Sequence, residues 1–116
     1  MKALINITNL RLRAIIGINE WERKLKQDVV INIKIEYDAT KAVQTDSIDD
    51  AFNYKAVTKE IIREVEDSEY QLLEALSAHI LNIIGNESAV LKAMVRVEKP
   101  GALRYSDSVG IEVSTE

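Results

Sequence analysis

Residues 28–37 read DVVINIKIEY, and every second side chain from Val29 to Tyr37 is apolar. A period of two residues is the pattern of a strand with one face in a core and one face in water. The predicted core face carries Val29, Ile31, Ile33, Ile35 and Tyr37. The sequence therefore predicts a half-buried strand, and the remaining elements can be placed around it.

Three other stretches alternate in the same way and predict further strands over residues 3–16, 90–98 and 109–114. The first of them changes phase near Asn9, which is the mark of a β-bulge. Strands that follow one another at both ends of the chain favour antiparallel pairing.

Two amphipathic helices are predicted between these strand pairs. Residues 54–66 place apolar side chains at helical spacing, and residues 71–84 do the same with a wider apolar stripe. The expected fold class is α+β, a ββααββ domain with a four-stranded antiparallel sheet and two helices on one face. The open edges of such a sheet favour assembly of copies into a closed ring.

Composition restricts the available chemistry. A length of 116 residues suits one domain, 1–116, with one hydrophobic core. No cysteine and a single histidine, His79, exclude a disulfide, a Cys-ligated zinc ion and a two-His metal site within one chain, so neither a metal nor another cofactor is expected.

Charge and hydropathy restrict the partners. The net charge is −4 and basic residues alternate with acidic ones, so nucleic-acid binding is not expected. No apolar run approaches the roughly 20 residues of a membrane span, and the first residues turn polar too early for a secretory signal. We therefore expect a cytoplasmic location and no membrane partner.

Two connections are long and polar. The stretch 17–27 follows the first strand and carries Trp21 and Glu22 in what we expect to be a loop, and loops often carry function. The stretch 38–53 is acidic and is expected to be a solvated connection that leads into the first helix.

Four polar residues stand where predicted strands and helices meet loops. Glu22 lies in the first loop, Tyr54 opens the first helix, Glu74 lies among leucines, and Lys99 ends the third strand. Each also has an ordinary structural explanation, as a solvated charge or a helix-start aromatic. Glu74 is the least ordinary, since a charge beside a buried stripe needs a partner or water.

The segments that hold these residues resemble those of the dihydroneopterin aldolase and dihydroneopterin triphosphate epimerase family. The resemblance covers nearly the whole chain and rests on the order and spacing of several pieces. These are 12–18 running into Glu22, 27–32, 53–54, 72–76 (LLEAL) and 98–103 (EKPGAL).

The resemblance implies a ββααββ tunnelling fold that forms tetrameric rings, commonly stacked as octamers, with pockets between subunits. It implies a dihydropterin substrate, held by the carboxylate of Glu74 as a buried acid, with Leu72 and Leu73 beside it. An ionised carboxylate accepts two parallel hydrogen bonds well.

The resemblance also implies the catalytic residues. Lys99 is expected to act as general base or proton relay on the 2'-hydroxyl, and Glu22 to hold Lys99 and a water. Tyr54 is expected to come from the adjacent subunit. No metal is needed, because the dihydropterin ring accepts the electrons released when the C1'–C2' bond breaks.

Two products are open to this chemistry. An epimerase re-adds the released aldehyde and inverts C2', whereas an aldolase releases it as glycolaldehyde with 6-hydroxymethyl-7,8-dihydropterin. The segments 53–59 and 102–109 are closer to the epimerase branch, and Arg104 is a candidate for contact with a triphosphate. A non-catalytic oligomer that binds pterin or purine, and an oligomer without ligand, are the alternatives from other classes.

Overall fold

The computed structural model describes residues 1–115. The strands are β1 (Lys2–Ile16), β2 (Gln27–Asp38), β3 (Glu69–Tyr70), β4 (Val90–Pro100) and β5 (Ser108–Ser114). The helices are α1 (Thr40–Thr45), α2 (Tyr54–Glu66) and α3 (Leu73–Gly85). Within the described residues, no helix is both long and apolar enough to cross a membrane.

One sheet contains all five strands, in the order β3-β1-β2-β4-β5. The pairs β1–β2, β2–β4 and β4–β5 are antiparallel, and the short β3 runs parallel to the end of β1. The four predicted strands and the two predicted helices are therefore present, and the predicted α+β class is confirmed.

Strand β2 lies at the centre of the sheet, as its alternation indicates. Ile33 pairs with Ile7 on one side and with Val95 on the other. The side chains of this face are covered by α2 and α3, which contribute, among others, Ile61 and Ile80 to the core. Burying one aliphatic side chain of this size stabilises the fold by roughly 1.5–3 kcal/mol, which selects this register over a shift by one residue.

The predicted change of phase in β1 is a bulge. Pairing passes from Ile7 opposite Ile33 to Leu10 opposite Ile31, and Asn9 takes a positive φ of 53°. The Asn9 main-chain N–H donates to Oδ1 of Asn32 at 2.9 Å. The bulge therefore has its own polar anchor, and β1 keeps its apolar face inward on both sides of it.

Four short elements were absent from the sequence prediction, and the first is a 3₁₀ turn at Glu20–Arg23 in the stretch expected to be a loop. The stretch 38–53, expected to be a solvated connection, contains α1 and a 3₁₀ turn at Ile48–Asp50. Helix α1 begins where the carboxylate of Asp38 accepts from the main-chain N–H and the hydroxyl of Thr40. Strand β3 has two residues, too few to show a period, and it pairs with the end of β1 at Ile15 and Ile16.

Both edges of the sheet are open over most of their length in the described chain. The outer edge of β1 is paired only at Ile15 and Ile16, by β3, and the other edge is β5. Such edges present free main-chain N–H and C=O groups. The geometry is compatible with edge pairing between copies.

Candidate active site

A cavity of about 450 Å³ opens between the end of β1, the loop after it, the start of α3 and the turn after β4. Apolar side chains make up most of its wall, and a few polar side chains converge on it. The polar ones are Asn19, Glu22, Gln27, Gln71, Glu74 and Lys99. Concave sites of this size and composition suit small organic ligands.

Glu22 and Lys99 form a nearly buried ion pair in this cavity. Lys99 Nζ lies 2.6 Å from Glu22 Oε2, and the two side chains are 14% and 5% exposed, in the order Lys99, Glu22. The pair joins the first loop to the end of β4, 77 residues further along the chain. Charged groups this deep are costly unless they are paired and hydrogen-bonded.

The Glu22 carboxylate is fully satisfied on both oxygens. Oε1 accepts from the main-chain N–H of Asn19 at 3.1 Å and from its Nδ2 at 2.8 Å. Oε2 accepts from Gln27 Nε2 at 3.1 Å as well as from Lys99. The hydrogen bond from Lys99 is the main reason that the pKa of Glu22 falls to about 2, against the opposing effect of burial. Glu22 is thus a fixed anion at neutral pH.

Gly17 provides the space that this carboxylate occupies. Its φ is +127°, and a Cβ built there would lie 2.2 Å from Glu22 Cδ. Any side chain at position 17 would therefore both strain the main chain and displace the carboxylate. The turn from β1 into the loop is shaped around Glu22.

The start of α3 forms another part of the cavity wall. Leu72, Leu73 and Glu74 all line the cavity, and Leu72 is the residue before the helix. The main-chain N–H groups of Leu73 and Glu74 have no acceptor within the helix, because the first turn of any helix lacks one. The expectation that Glu74 is buried is wrong for the single chain, where its side chain is exposed at the cavity wall. It is the second residue of the helix, directly after the buried Leu73, and its own position faces away from the core.

Tyr54 and Arg104 lie outside this cavity. Tyr54 is 58% exposed at the start of α2 and lines a separate surface pocket with Ile5, Ile7 and Ile48. Arg104 stacks over the ring of Tyr105, 5.6 Å from its centroid, and is absent from the described cavity wall. Within one chain, the structure brings together Glu22, Leu72, Leu73, Glu74 and Lys99 but not Tyr54.

Comparison with known proteins identifies the family. The family model described as FolB: Dihydroneopterin aldolase matches residues 5–114. The chain belongs to the dihydroneopterin aldolase family. It is similar to the dihydroneopterin triphosphate 2'-epimerases of Escherichia coli K12 and Pseudomonas aeruginosa, at 47% and 46% identity. Each match spans 97% of this chain, and 93% and 91% of those proteins, respectively.

The fold is also that of a solved member of the dihydroneopterin aldolase family. A FolB protein of Vibrio cholerae superposes with a TM-score of 0.92 at 26% identity, covering 97% of this chain and 96% of that chain. The sequence-based assignment to the family is confirmed by both kinds of comparison.

Three residues that hold the site in this family member carried no role in the sequence prediction. Gly17, Asn19 and Gln27 all act on the Glu22 carboxylate, by leaving space or by donating hydrogen bonds. The available signal was a glycine at the end of the first strand and two amides that flank an acid in one loop. Their convergence depends on how the loop folds back on itself.

The Glu22 interactions predict a change in acid stability. The folded-state pKa is about 2 and lies below the ordinary value of 4.5, so the stabilisation is present above pH 4.5 and is lost as pH falls towards 2. A shift of this size corresponds to a contribution on the order of 3 kcal/mol. We expect the difference in unfolding free energy between wild type and Glu22→Gln to shrink across that range in denaturant titrations. A difference that stays constant with pH would contradict the assignment.

The Gly17 contacts predict a position-specific cost. Gly17→Ala is expected to lower the unfolding free energy by about 2 kcal/mol or more, because it combines main-chain strain with overlap at Glu22. Gly85→Ala is the matched control, since a Cβ there meets no atom within 4 Å. Thermal unfolding of both variants measures the contrast, and equal melting temperatures would show that the loop tolerates a side chain.

Proposed function

We propose that this chain is a dihydroneopterin triphosphate 2'-epimerase. The observation that carries the proposal is one cavity whose wall contains both an exposed carboxylate, Glu74, and a buried ammonium–carboxylate pair, Lys99 and Glu22. The proposal is further supported by the two epimerases at 46–47% identity, which this chain matches over nearly its whole length.

Glu74 and the first turn of α3 form the proposed pterin-binding wall. The carboxylate accepts two hydrogen bonds from the N3–H and the 2-amino group of the ring, a planar pair of donors. The free N–H groups at Leu73 and Glu74 can donate to the ring carbonyl beside them, since helix N-termini leave such donors unused. Leu72 and Leu73 provide apolar contact for the ring.

Lys99 is the proposed acid–base group, and Glu22 orients it. The ammonium has three donors and uses one on Glu22, so others remain for substrate or water. The amine form of Lys99 accepts the 2'-hydroxyl proton through a bound water, the C1'–C2' bond breaks, and the electron pair of that bond enters the dihydropterin ring. The released aldehyde turns and accepts the pair again on its other face, and the proton returns to the oxygen. The product is the 2'-epimer, with no change in composition and no metal.

Tyr54 is proposed to act from a neighbouring copy. It is exposed in its own chain, close to the open edge of β1, and it lies outside the cavity that contains Lys99. The cavity itself has an exposed apolar rim that includes Ile18, Trp21 and Leu103. Pairing of open edges in a ring would cover this rim and place the tyrosine of one copy against the lysine of the next.

Mixing two inactive variants tests this arrangement. Lys99→Ala and Tyr54→Phe oligomers, mixed under conditions that allow subunit exchange, are expected to regain about a quarter of the wild-type sites, because each site takes one residue from each of two neighbours. Native mass spectrometry checks that mixed oligomers form. Mixed oligomers without regained activity would contradict a shared site.

Aldolase activity is the second candidate, and the family description favours it. Both reactions pass through the same cleaved intermediate, which is either protonated on carbon after the aldehyde leaves or attacked by the aldehyde again. The relative rates of these two fates of the intermediate therefore decide whether the enzyme acts as an aldolase or as an epimerase.

The assay follows from that partitioning. The protein is incubated with 7,8-dihydroneopterin and separately with its triphosphate, and chromatography resolves the 2'-epimer from 6-hydroxymethyl-7,8-dihydropterin. We expect mainly the epimer from the triphosphate, and the Lys99→Ala variant is the control for contaminating enzymes. Mainly hydroxymethyl product would identify an aldolase. Binding of neopterin by calorimetry without either product would indicate a non-catalytic binding oligomer.

A further inference from the structure

Arg23 joins the loop after β1 to strand β3. Its Nη1 donates to the carbonyl oxygens of Gly17 and Tyr70, each at 3.0 Å, and its Nη2 donates to the carbonyl oxygen of Glu69. The Gly17 N–H donates to the same Tyr70 carbonyl at 3.3 Å. Within residues 1–115, the side chain of Arg23 therefore donates three hydrogen bonds, and a main-chain oxygen accepts each of them.

One of these carbonyls belongs to Gly17, which lines the cavity, and the other two belong to β3, which leads into the start of α3. Gly17 leaves space for the Glu22 carboxylate, and Glu22 is the residue directly before Arg23. Tyr70 is followed at once by the segment 71–74, which also lines the cavity. The guanidinium thus connects the acid–base side of the cavity to the proposed ligand-binding side.

The connection needs the shape of a guanidinium. Strand β3 pairs with β1 through only Ile15–Glu69 and Ile16–Tyr70, so the sheet alone gives it a short anchor. Arginine presents several N–H donors in one rigid plane, whereas lysine presents a compact point charge on a flexible chain. A planar fork can bind the carbonyl of Gly17, just after β1, and those of β3 at the same time. Arg23 is only partly exposed in this position.

We infer that Arg23 is a positioning residue that sets the distance between the Glu22–Lys99 pair and the Leu72–Glu74 wall. The inference rests on the proposed function for its effect on turnover. It assigns to Arg23 no contact with the substrate, which meets Lys99 and Glu74 instead. Loss of the fork leaves both walls intact but lets them move relative to each other.

The test compares Arg23→Gln and Arg23→Lys with Arg13→Gln. Arg13 is the matched control because it is also an arginine bonded to a main-chain carbonyl, that of Lys26 at 2.9 Å, but on the exposed side of the sheet. Arg23→Gln is expected to lower kcat/KM by about 10- to 100-fold, with both kcat and KM affected, because misplacement by about 1 Å is enough for such a loss. Arg23→Lys is expected to recover only part of the lost kcat/KM, and Arg13→Gln is expected to have the kcat/KM of wild type.

A second measurement is independent of turnover. Amide hydrogen exchange at Gly17 and over residues 69–74 is expected to accelerate about 10-fold or more in Arg23→Gln while core strands β2 and β4 exchange as in wild type. Exchange that accelerates everywhere would show a global loss of stability and would overturn the inference, as would wild-type kinetics in Arg23→Gln. If wild type itself turns over neither pterin, the proposed function fails, and unchanged exchange at Gly17 then overturns this inference separately.

Discussion

Replacing Lys99 with alanine is expected to lower turnover about 100-fold or more while leaving pterin affinity nearly unchanged, as for a group that transfers protons in the rate-limiting step. Lys99 and Glu74 line the same cavity from different elements, β4 and α3, and the proposed hydrogen bonds to the ring come from Glu74 and the start of α3. Steady-state kinetics with the triphosphate, together with calorimetry using neopterin, measure the two effects on the same preparation.

Stability must be measured alongside, because the same change leaves the Glu22 carboxylate buried without its cation. Breaking a buried pair from one side costs about 3–5 kcal/mol. Lys99→Ala combined with Glu22→Gln removes both charges, so a folded double variant with the same loss of turnover separates chemistry from folding. Lys92→Ala is the control on the same strand, since Lys92 is exposed. Unchanged turnover in a folded Lys99→Ala protein would remove lysine from the mechanism.

Replacing Glu74 with alanine is expected to weaken pterin binding about 100-fold or more, because two charge-assisted hydrogen bonds to the ring are lost together. The variant should fold normally, since the side chain is exposed in the single chain. The expected loss of helix stabilisation at the second position of α3 is only about 0.3–1 kcal/mol. Calorimetry with neopterin and a thermal unfolding curve measure the two effects.

Glu60→Ala is the control for Glu74, since Glu60 is an exposed acid in α2 outside the described cavity wall. Glu74→Gln keeps the shape of the side chain but offers one acceptor oxygen and no charge. Its pterin affinity should therefore lie between those of wild type and Glu74→Ala. Saturating substrate should restore much of the Glu74→Ala rate if the residue acts in binding. A variant with normal affinity and a low kcat would place Glu74 in the chemistry instead.

The core could be predicted from sequence because alternation and helical spacing are local consequences of burial. The run 28–37 occupies the centre of the sheet, and α2 begins and ends where its apolar spacing does. Strand β3 and helix α1 could not be predicted, since two and six residues give no period above background. Strand β3 pairs with the end of β1, and α1 begins just after β2 ends, so both short elements depend on a longer neighbour.

The site was partly predictable for a different reason. Glu22 stood out as an acid in the first loop and Lys99 as a base at the end of the third strand, but their spacing of 77 residues says nothing about a 2.6 Å contact. Arg23 looked like one more charge in a polar loop, and its three carbonyl partners lie on two separate segments. Proximity between distant segments is a property of the folded chain.

By itself, the sequence determined the α+β class, the inward face of each long strand and helix, and the family, because all three depend on residue type and spacing along the chain. Only the tertiary structure decided that Glu22 is an ionised carboxylate held by hydrogen bonds, that Glu74 is exposed, and that Tyr54 lies outside the cavity of its own chain. The physical reason is that burial and hydrogen bonding depend on which segments meet in space. A side chain's protonation and reach are set by those neighbours and not by its position in the chain.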